Sequence, residues 1–242
     1  MILGVLLRFR FSNYRSFRRE TEFSLVATRQ DRHVARRVRK SSVTGETVDV
    51  LPVVAVLGAN ASGKSNLLGA MAFMRQVVTG DYLNPKKLLG TRRDYFLLDP
   101  KAAYESSMFE VDFIHQGDRF QYGFELNDEA VTSEWLHAFP HNRTQILFDR
   151  EGKDYQFGRK LGGPNRPIAD ITRRNALFLS VAALSNHDFL GSIFQWFTHG
   201  LIELDRGPTS SARLSDLLRR IPAYQQRISG LARLADLGIV ET

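Results

Sequence analysis

Leu7, Phe9 and Phe11 alternate with basic residues along Leu3 to Phe11, the period-two pattern of a half-buried strand. A second run, Glu22 to Ala27, reads as its antiparallel partner, with the polar stretch Ser12 to Phe17 as the turn of the hairpin. Thr28 to Thr47 is charged and short of apolar residues, so it reads as a flexible excursion. Val48 to Leu57 then runs almost continuously apolar and β-branched, the pattern of a central strand buried on both faces, and Pro52 places its start at Val53. Past Gly58 to Asn66 the period turns helical. Leu67, Leu68, Met71, Met74 and Val78 fall at steps of one, three and four, and Gly80 supplies the stop.

Downstream, Phe109 to His115 and Arg119 to Leu126 alternate around Gln116-Gly117-Asp118 and predict a second hairpin. Ala130 to Phe139, Gln145 to Phe148 and Tyr155 to Phe157 extend it into an antiparallel meander, with Glu151-Gly152-Lys153 as a further turn. From Asn175 onward the period lengthens again. Leu177 to Leu184 and Phe189 to Leu201 suit two buried helices, and Leu214 to Ile221 and Tyr224 to Leu237 shorter amphipathic ones on either side of Pro222. The chain therefore reads as one α/β domain, 1–242, in three blocks: 1–80 with hairpin, strand and helix, a β-rich 81–174, and a helical 175–242.

Composition trims the function classes. With 43% hydrophobic residues the chain can bury a core, and the absence of cysteine removes disulfide scaffolds, thiol catalysis and thiolate zinc sites. The six histidines show no metal-ligand spacing, so no transition-metal site is expected. No run approaches the ~18 apolar residues of a membrane span, and the expectation is a cytoplasmic protein. The net charge of +7 is confined to one place. Residues 1 to 40 hold eleven basic and three acidic side chains, and the remainder is close to neutral. Such a segment either meets phosphates, of a nucleotide or of nucleic acid, or is a solvated loop.

The sharpest signal is Gly58-Ala59-Asn60-Ala61-Ser62-Gly63-Lys64-Ser65-Asn66, which satisfies G-x-x-x-x-G-K-[ST] between an apolar run and a helical pattern, the context this phosphate-binding loop needs. Backbone N–H groups at a helix N-terminus favour an anion through their unpaired donors and the macrodipole. Gly58 and Gly63 permit the tight backbone, Lys64 brings a point charge to the β and γ phosphates, and the Ser65 hydroxyl suits Mg²⁺. ATP and Mg²⁺ are the cofactors this implies.

The loop's Asn60 and Asn66, with Phe11-Ser12-Asn13-Tyr14-Arg15-Ser16-Phe17 some forty-five residues earlier, resemble the ATP-binding-cassette-like ATPases of the SMC, RecF and Rad50 type. Within that group the chain resembles the bacterial AAA-family proteins grouped with OLD-like and abortive-infection, phage-defence ATPases. Tyr122-Gly123-Phe124-Glu125-Leu126, Asn175 to Ser180 and Ala235 to Ile239 add to the likeness. The resemblance implies a P-loop NTPase lobe of ABC/SMC type, phosphates on Asn60 to Asn66, and Asn13, Arg15 and Ser16 beside the nucleotide. From the residues alone, Arg15 reads rather as one more member of a solvated basic face.

Hydrolysis also needs a carboxylate to organise Mg²⁺ and a group to orient water. Tyr95 to Asp99 and Leu201 to Asp205 end apolar runs in Asp, but Pro100 and Arg206 follow, and each reads better as an ordinary element end. Leu161-Gly162-Gly163-Pro164 reads as a turn. In the resembled family the missing motifs come later, so the chain is expected to be an N-terminal lobe completed by a C-terminal half or working as a homodimer. Its partners would be DNA or RNA, or an effector nuclease or toxin. Two other readings stand beside the ATPase: a non-hydrolysing nucleotide-binding or interaction module, and a small-molecule kinase.

Overall fold

A computed structural model describes residues 4–80, 93–141 and 143–201, all within one compact unit. The expected first hairpin forms: β1 (Val5–Ser12) pairs antiparallel with β2 (Thr21–Ser24). β3 (Arg36–Arg39) and β4 (Thr47–Val50) make a separate two-stranded sheet, followed by helix α1 (Lys64–Thr79). The meander comprises β5 (Ser107–His115), β6 (Asp118–Leu126), β7 (Val131–Ala138), β8 (Gln145–Glu151) and β9 (Asp154–Phe157). Three helices follow, α2 (Asn165–Ile171), α3 (Phe178–Leu184) and α4 (Asp188–His199). The larger sheet has the order β2-β1-β5-β6-β7-β8-β9, antiparallel throughout. The expected helices beyond residue 201 lie outside the described residues.

The turns follow the chemistry of their residues. Gln116 and Gly117 join β5 to β6 at φ 53° and 88°, the two positive angles that a tight hairpin turn needs to match the strand twist. Gly123 stands directly across from Trp135, and a Cβ there would lie 2.3 Å from the indole, so the glycine makes room for the ring. Trp135 in turn donates its indole N–H to Glu110 at 2.8 Å.

One face of the sheet carries the aromatic core of Phe9, Phe11, Phe109, Phe113, Tyr122 and Phe124, covered by the helices. α1 contributes Ala70, Met74 and Val78, spaced four apart on one stripe. Its position is fixed at both ends: Tyr14 donates to the carbonyl of Gly69 at 3.2 Å, and Ser180 of α3 donates to that of Val78 at 2.7 Å. A register shift between Leu6 and Arg8 sends Leu7 to a second, smaller core with Val50 and Ile114.

Two expectations fail. Val53 to Leu57 is not a buried strand: it forms no strand at all, and Val53 and Leu57 are 79% and 89% exposed. Among the described residues the larger sheet ends at β2 and β9, so no strand lies alongside this segment to satisfy its backbone. Thr28 to Thr47 is likewise no free excursion. It holds β3, and Ser42 pins it to the meander by donating its N–H to Asp118 at 2.6 Å and its hydroxyl at 2.7 and 2.8 Å.

Candidate phosphate-binding site

The site is built where the chain enters α1. Ala61 and Gly63 both take left-handed backbone, at φ 63° and 94°, curling the loop so that successive N–H groups turn to one side. A Cβ on Gly63 would approach the hydroxyl of Ser16 to 3.1 Å and the ring of Phe17 to 3.2 Å, so both the angle and the space call for glycine. No side chain caps the helix and its first turn carries no acid. The amides of Asn66 and Leu67 are the first to close back, both onto the carbonyl of Gly63, at 2.9 and 3.0 Å. Among the described residues the N–H groups of Gly63, Lys64 and Ser65 therefore stay free, an uncompensated positive end of a sixteen-residue helix.

Lys64 folds along the loop, donating to the carbonyls of Gly58 and Ala59 at 2.8 and 2.6 Å. That holds its ammonium at the rim. The exposed Ser65 joins Ala61 to Asn66 in lining a hollow of about 250 Å³. The donor set fits a polyphosphate with its magnesium: free amides, one cation, one free hydroxyl and no competing carboxylate.

The tight turn after β1 packs directly against this loop. Asn66 donates its side-chain amide to Ser16 Oγ at 2.9 Å, which joins the expected Ser16 and Asn66 in one place. Arg15 lies over the first turns of α1, its guanidinium 2.9 Å from where a Cβ on Gly69 would stand, and pairs with Asp94 at 2.9 Å. It belongs to the site's edge rather than to a detached basic face. Asn13 plays a different part from the one expected. Only 2% exposed, it donates its amide to the carbonyls of Ala102 and Glu105 at 2.8 and 3.0 Å and accepts from the N–H of Phe96 at 3.1 Å, so it fastens the chain beside the site instead of facing it.

Much of the N-terminal charge is spent inside the fold. Arg8 reaches Asp112 at 3.2 Å, Arg10 pairs with Glu110, and Arg18 holds Asp99 and Glu105 at 2.9 and 2.6 Å. The Arg18 hydrogen bonds keep both of those carboxyls below the usual carboxylate range. Asp99 also accepts from the N–H of Lys101 at 3.0 Å, so the Asp that ends Tyr95 to Asp99 caps the short helical turn that follows it. Leu161 to Pro164 is an irregular link into α2, bent at Gly163 with φ 96°. Leu201 to Asp205 extends outside the described residues.

One buried acid, Glu134, accepts the N–H groups of Phe178 and Leu179 at 2.6 and 3.0 Å and the Tyr122 hydroxyl at 3.0 Å. It caps α3 while burial pushes its carboxyl upward. The sequence left unremarked the segment Arg93 to Leu98 as a wall of the site. It lines a second hollow of about 550 Å³ together with Arg15, Ser16 and Asn66.

Residues 53–239 match the family model described as "AAA domain, putative AbiEii toxin, Type IV TA system". The chain belongs to this family. No curated protein matches it. Membership gives the AAA domain a P-loop ATPase-like, nucleotide-binding function and places it in the abortive-infection group. Among the described residues of this AAA domain, no helix is long and apolar enough to cross a membrane.

Proposed function

We propose that this AAA domain binds ATP with Mg²⁺, seating the phosphates on residues 58 to 66. The observation that carries the reading is the free helix N-terminus with left-handed Ala61 and Gly63 before it and Lys64 on its rim. Gly63, Lys64 and Ser65 donate backbone N–H groups, Lys64 leaves a carbonyl to meet the β and γ oxygens, and Ser65 contributes one oxygen to the magnesium. When bound, the magnesium neutralises phosphate charge and polarises the γ-phosphoryl group. The Asn66–Ser16 hydrogen bond keeps the loop and the turn after β1 in register, so the donors are placed before the ligand arrives.

We further infer that hydrolysis belongs to an assembly. Asp94 is the one carboxylate bordering either described hollow, and it is tied to Arg15. The exposed apolar run Val53 to Leu57, leading straight into the loop, offers an unpaired backbone to a complementary lobe or second copy. In a toxin–antitoxin setting of the kind the family description names, ATP would then control a toxin, nuclease or nucleic-acid partner. Exposed Arg19, Arg29, Arg32, Arg36 and Arg39 are charges available to nucleic acid, and that contact should weaken steeply between about 50 and 200 mM salt.

A photo-crosslinkable ATP analogue should label the chain, and Lys64→Ala should abolish labelling. Labelling that survives the substitution would remove the phosphate loop from the account. Phosphate release measured alongside should be near background for the isolated chain.

A further inference from the structure

We propose that the hollow walled by Arg93 to Leu98 is the nucleoside half of the site, taking the base and ribose of the nucleotide whose phosphates sit on residues 58 to 66. This rests on the phosphate-loop reading above and extends it to residues outside the loop.

Three observations carry it. The first is continuity. Asn66, in the first turn of α1, lines both hollows, and its amide bonds to Ser16, which lines the second. A ligand held by its phosphates at Gly63 to Ser65 thus meets the second hollow on leaving the first.

The second is size and chemistry. About 550 Å³ is more than a phosphate needs and falls within the roughly 300–1,000 Å³ of small-molecule pockets. Its lining sets Tyr95, Phe96, Leu97 and Leu98 against Arg15 and Asp94, a large apolar surface with a few polar groups. Leu97 and Leu98 are 76% and 87% exposed, apolar side chains that a planar base would cover. One side of the Tyr95 ring already carries the Arg93 guanidinium, 5.3 Å from its centroid, which stiffens it as a stacking partner.

The third is that the wall is built from buried anchors. Arg93, 3% exposed, donates to the carbonyls of Glu105 and Ala103, the latter at 2.9 Å, and pairs with Asp128 at 3.2 Å. Asn13 holds the N–H of Phe96, and the Arg15 N–H donates to the carbonyl of Asp94 at 2.6 Å. A buried arginine committed to fixing an otherwise irregular segment makes that segment a fixed surface.

The test compares ATP with inorganic tripolyphosphate, each with Mg²⁺, by calorimetric binding to the full chain. Wild type should bind ATP more tightly than tripolyphosphate. Tyr95→Ala should weaken ATP about tenfold, the scale of one lost base–aromatic stack, and leave tripolyphosphate unchanged. Tyr95→Phe should restore the ATP affinity. Leu97→Arg, at an exposed position that folding does not use, should narrow the ATP advantage as well. Unaltered ATP binding in both Tyr95→Ala and Leu97→Arg, or equal loss for the two ligands, would overturn the proposal. Tripolyphosphate binding with no advantage for ATP would also sink the nucleoside pocket while sparing the phosphate loop, whereas a wild type that binds neither ligand refutes the loop reading itself.

Discussion

Replacing Asn13 with alanine should cost about 3–4 kcal/mol of stability, because that one amide bridges three separate pieces of backbone. It donates to the carbonyls of Ala102 and Glu105 and accepts from the N–H of Phe96 at 2.8, 3.0 and 3.1 Å, with the residue 2% exposed. Each of these bonds is worth about 1 kcal/mol net, and the groups left behind have little water to turn to. Asn13 also sits at φ 52°, where alanine bears about 1 kcal/mol of strain that asparagine tolerates better. In a chain of this length the sum lowers the melting temperature by roughly 10 °C. Urea unfolding should show the midpoint shifted at constant slope. Asn13→Gly relieves the backbone strain but not the lost hydrogen bonds, so it should recover at most about 1 kcal/mol. A drop below about 3 °C in Asn13→Ala would mean that these contacts are not what holds Phe96 in place, and the anchored wall of the second hollow would lose its main support.

Other perturbations test other joints. Glu134→Gln removes the charge that caps α3 and leaves the buried Arg150 guanidinium without its acid, which should cost about 3 kcal/mol in chemical denaturation. Gly123→Ala drives a Cβ to 2.3 Å from Trp135 in the middle of the sheet and should destabilise by about 2–3 kcal/mol, read as a loss of melting temperature. Asp99 and Glu105 have folded-state pKa values below the ordinary 3.8 and 4.5, so their stabilisation is full above those values and fades as pH falls through the lower, folded ones; an acid titration of melting temperature should be shallower in Arg18→Ala. Burial lowers the His115 pKa from 6.5, so its contribution is present above pH 6.5 and erodes as pH falls through the folded value, a slope that His115→Gln should remove.

Local pattern and tertiary context divide this molecule unevenly. The hairpin β1–β2, the meander and α1 were legible because each follows from period and turn chemistry within about twenty residues. Val53 to Leu57 misled for the opposite reason. Its β-branched run states what the segment could bury, but a buried strand exists only beside another strand, and none of the described ones stands there. β3 was missed because Arg36-Arg37-Val38-Arg39 looks like solvated charge. It forms once Val38 faces Val48 and Arg37 meets Asp49 at 3.2 Å. The N-terminal excess of charge misled in the same way, since Arg8 and Arg10 oppose Asp112 and Glu110 across β1 and β5, pairings about a hundred residues apart in sequence.

The candidate site shows where legibility stops and strain begins. The loop 58 to 66 could be read from its letters, because glycine, lysine and serine each have one evident task there. The turn at residues 13 to 17 could be found by resemblance but its division of labour could not, since it depends on which neighbours the fold brings up: Asn13 is buried on backbone groups of residues 96 to 105, while Arg15 is exposed and paired with Asp94. Among the described non-glycine residues, positive φ occurs at Asn13, Arg15, Ala61, Gln116 and Asn186. Gln116 makes a hairpin turn and Asn186 lies in the link between α3 and α4, whereas Arg15 and Ala61 each line one of the two hollows and Asn13 fastens the wall of the second. Strained backbone persists only where the surroundings over-determine it. Here they do: Asn13 is locked by the 93 to 105 segment, Arg15 by both its N–H and its side chain to Asp94, and Ala61 by the Lys64 bridge across Gly58 and Ala59. If those positions are held for ligand geometry rather than for folding, Ala61→Gly should leave the unfolding free energy within about 1 kcal/mol of wild type while loosening the loop and weakening tripolyphosphate and ATP together, the complement of the Tyr95→Ala result.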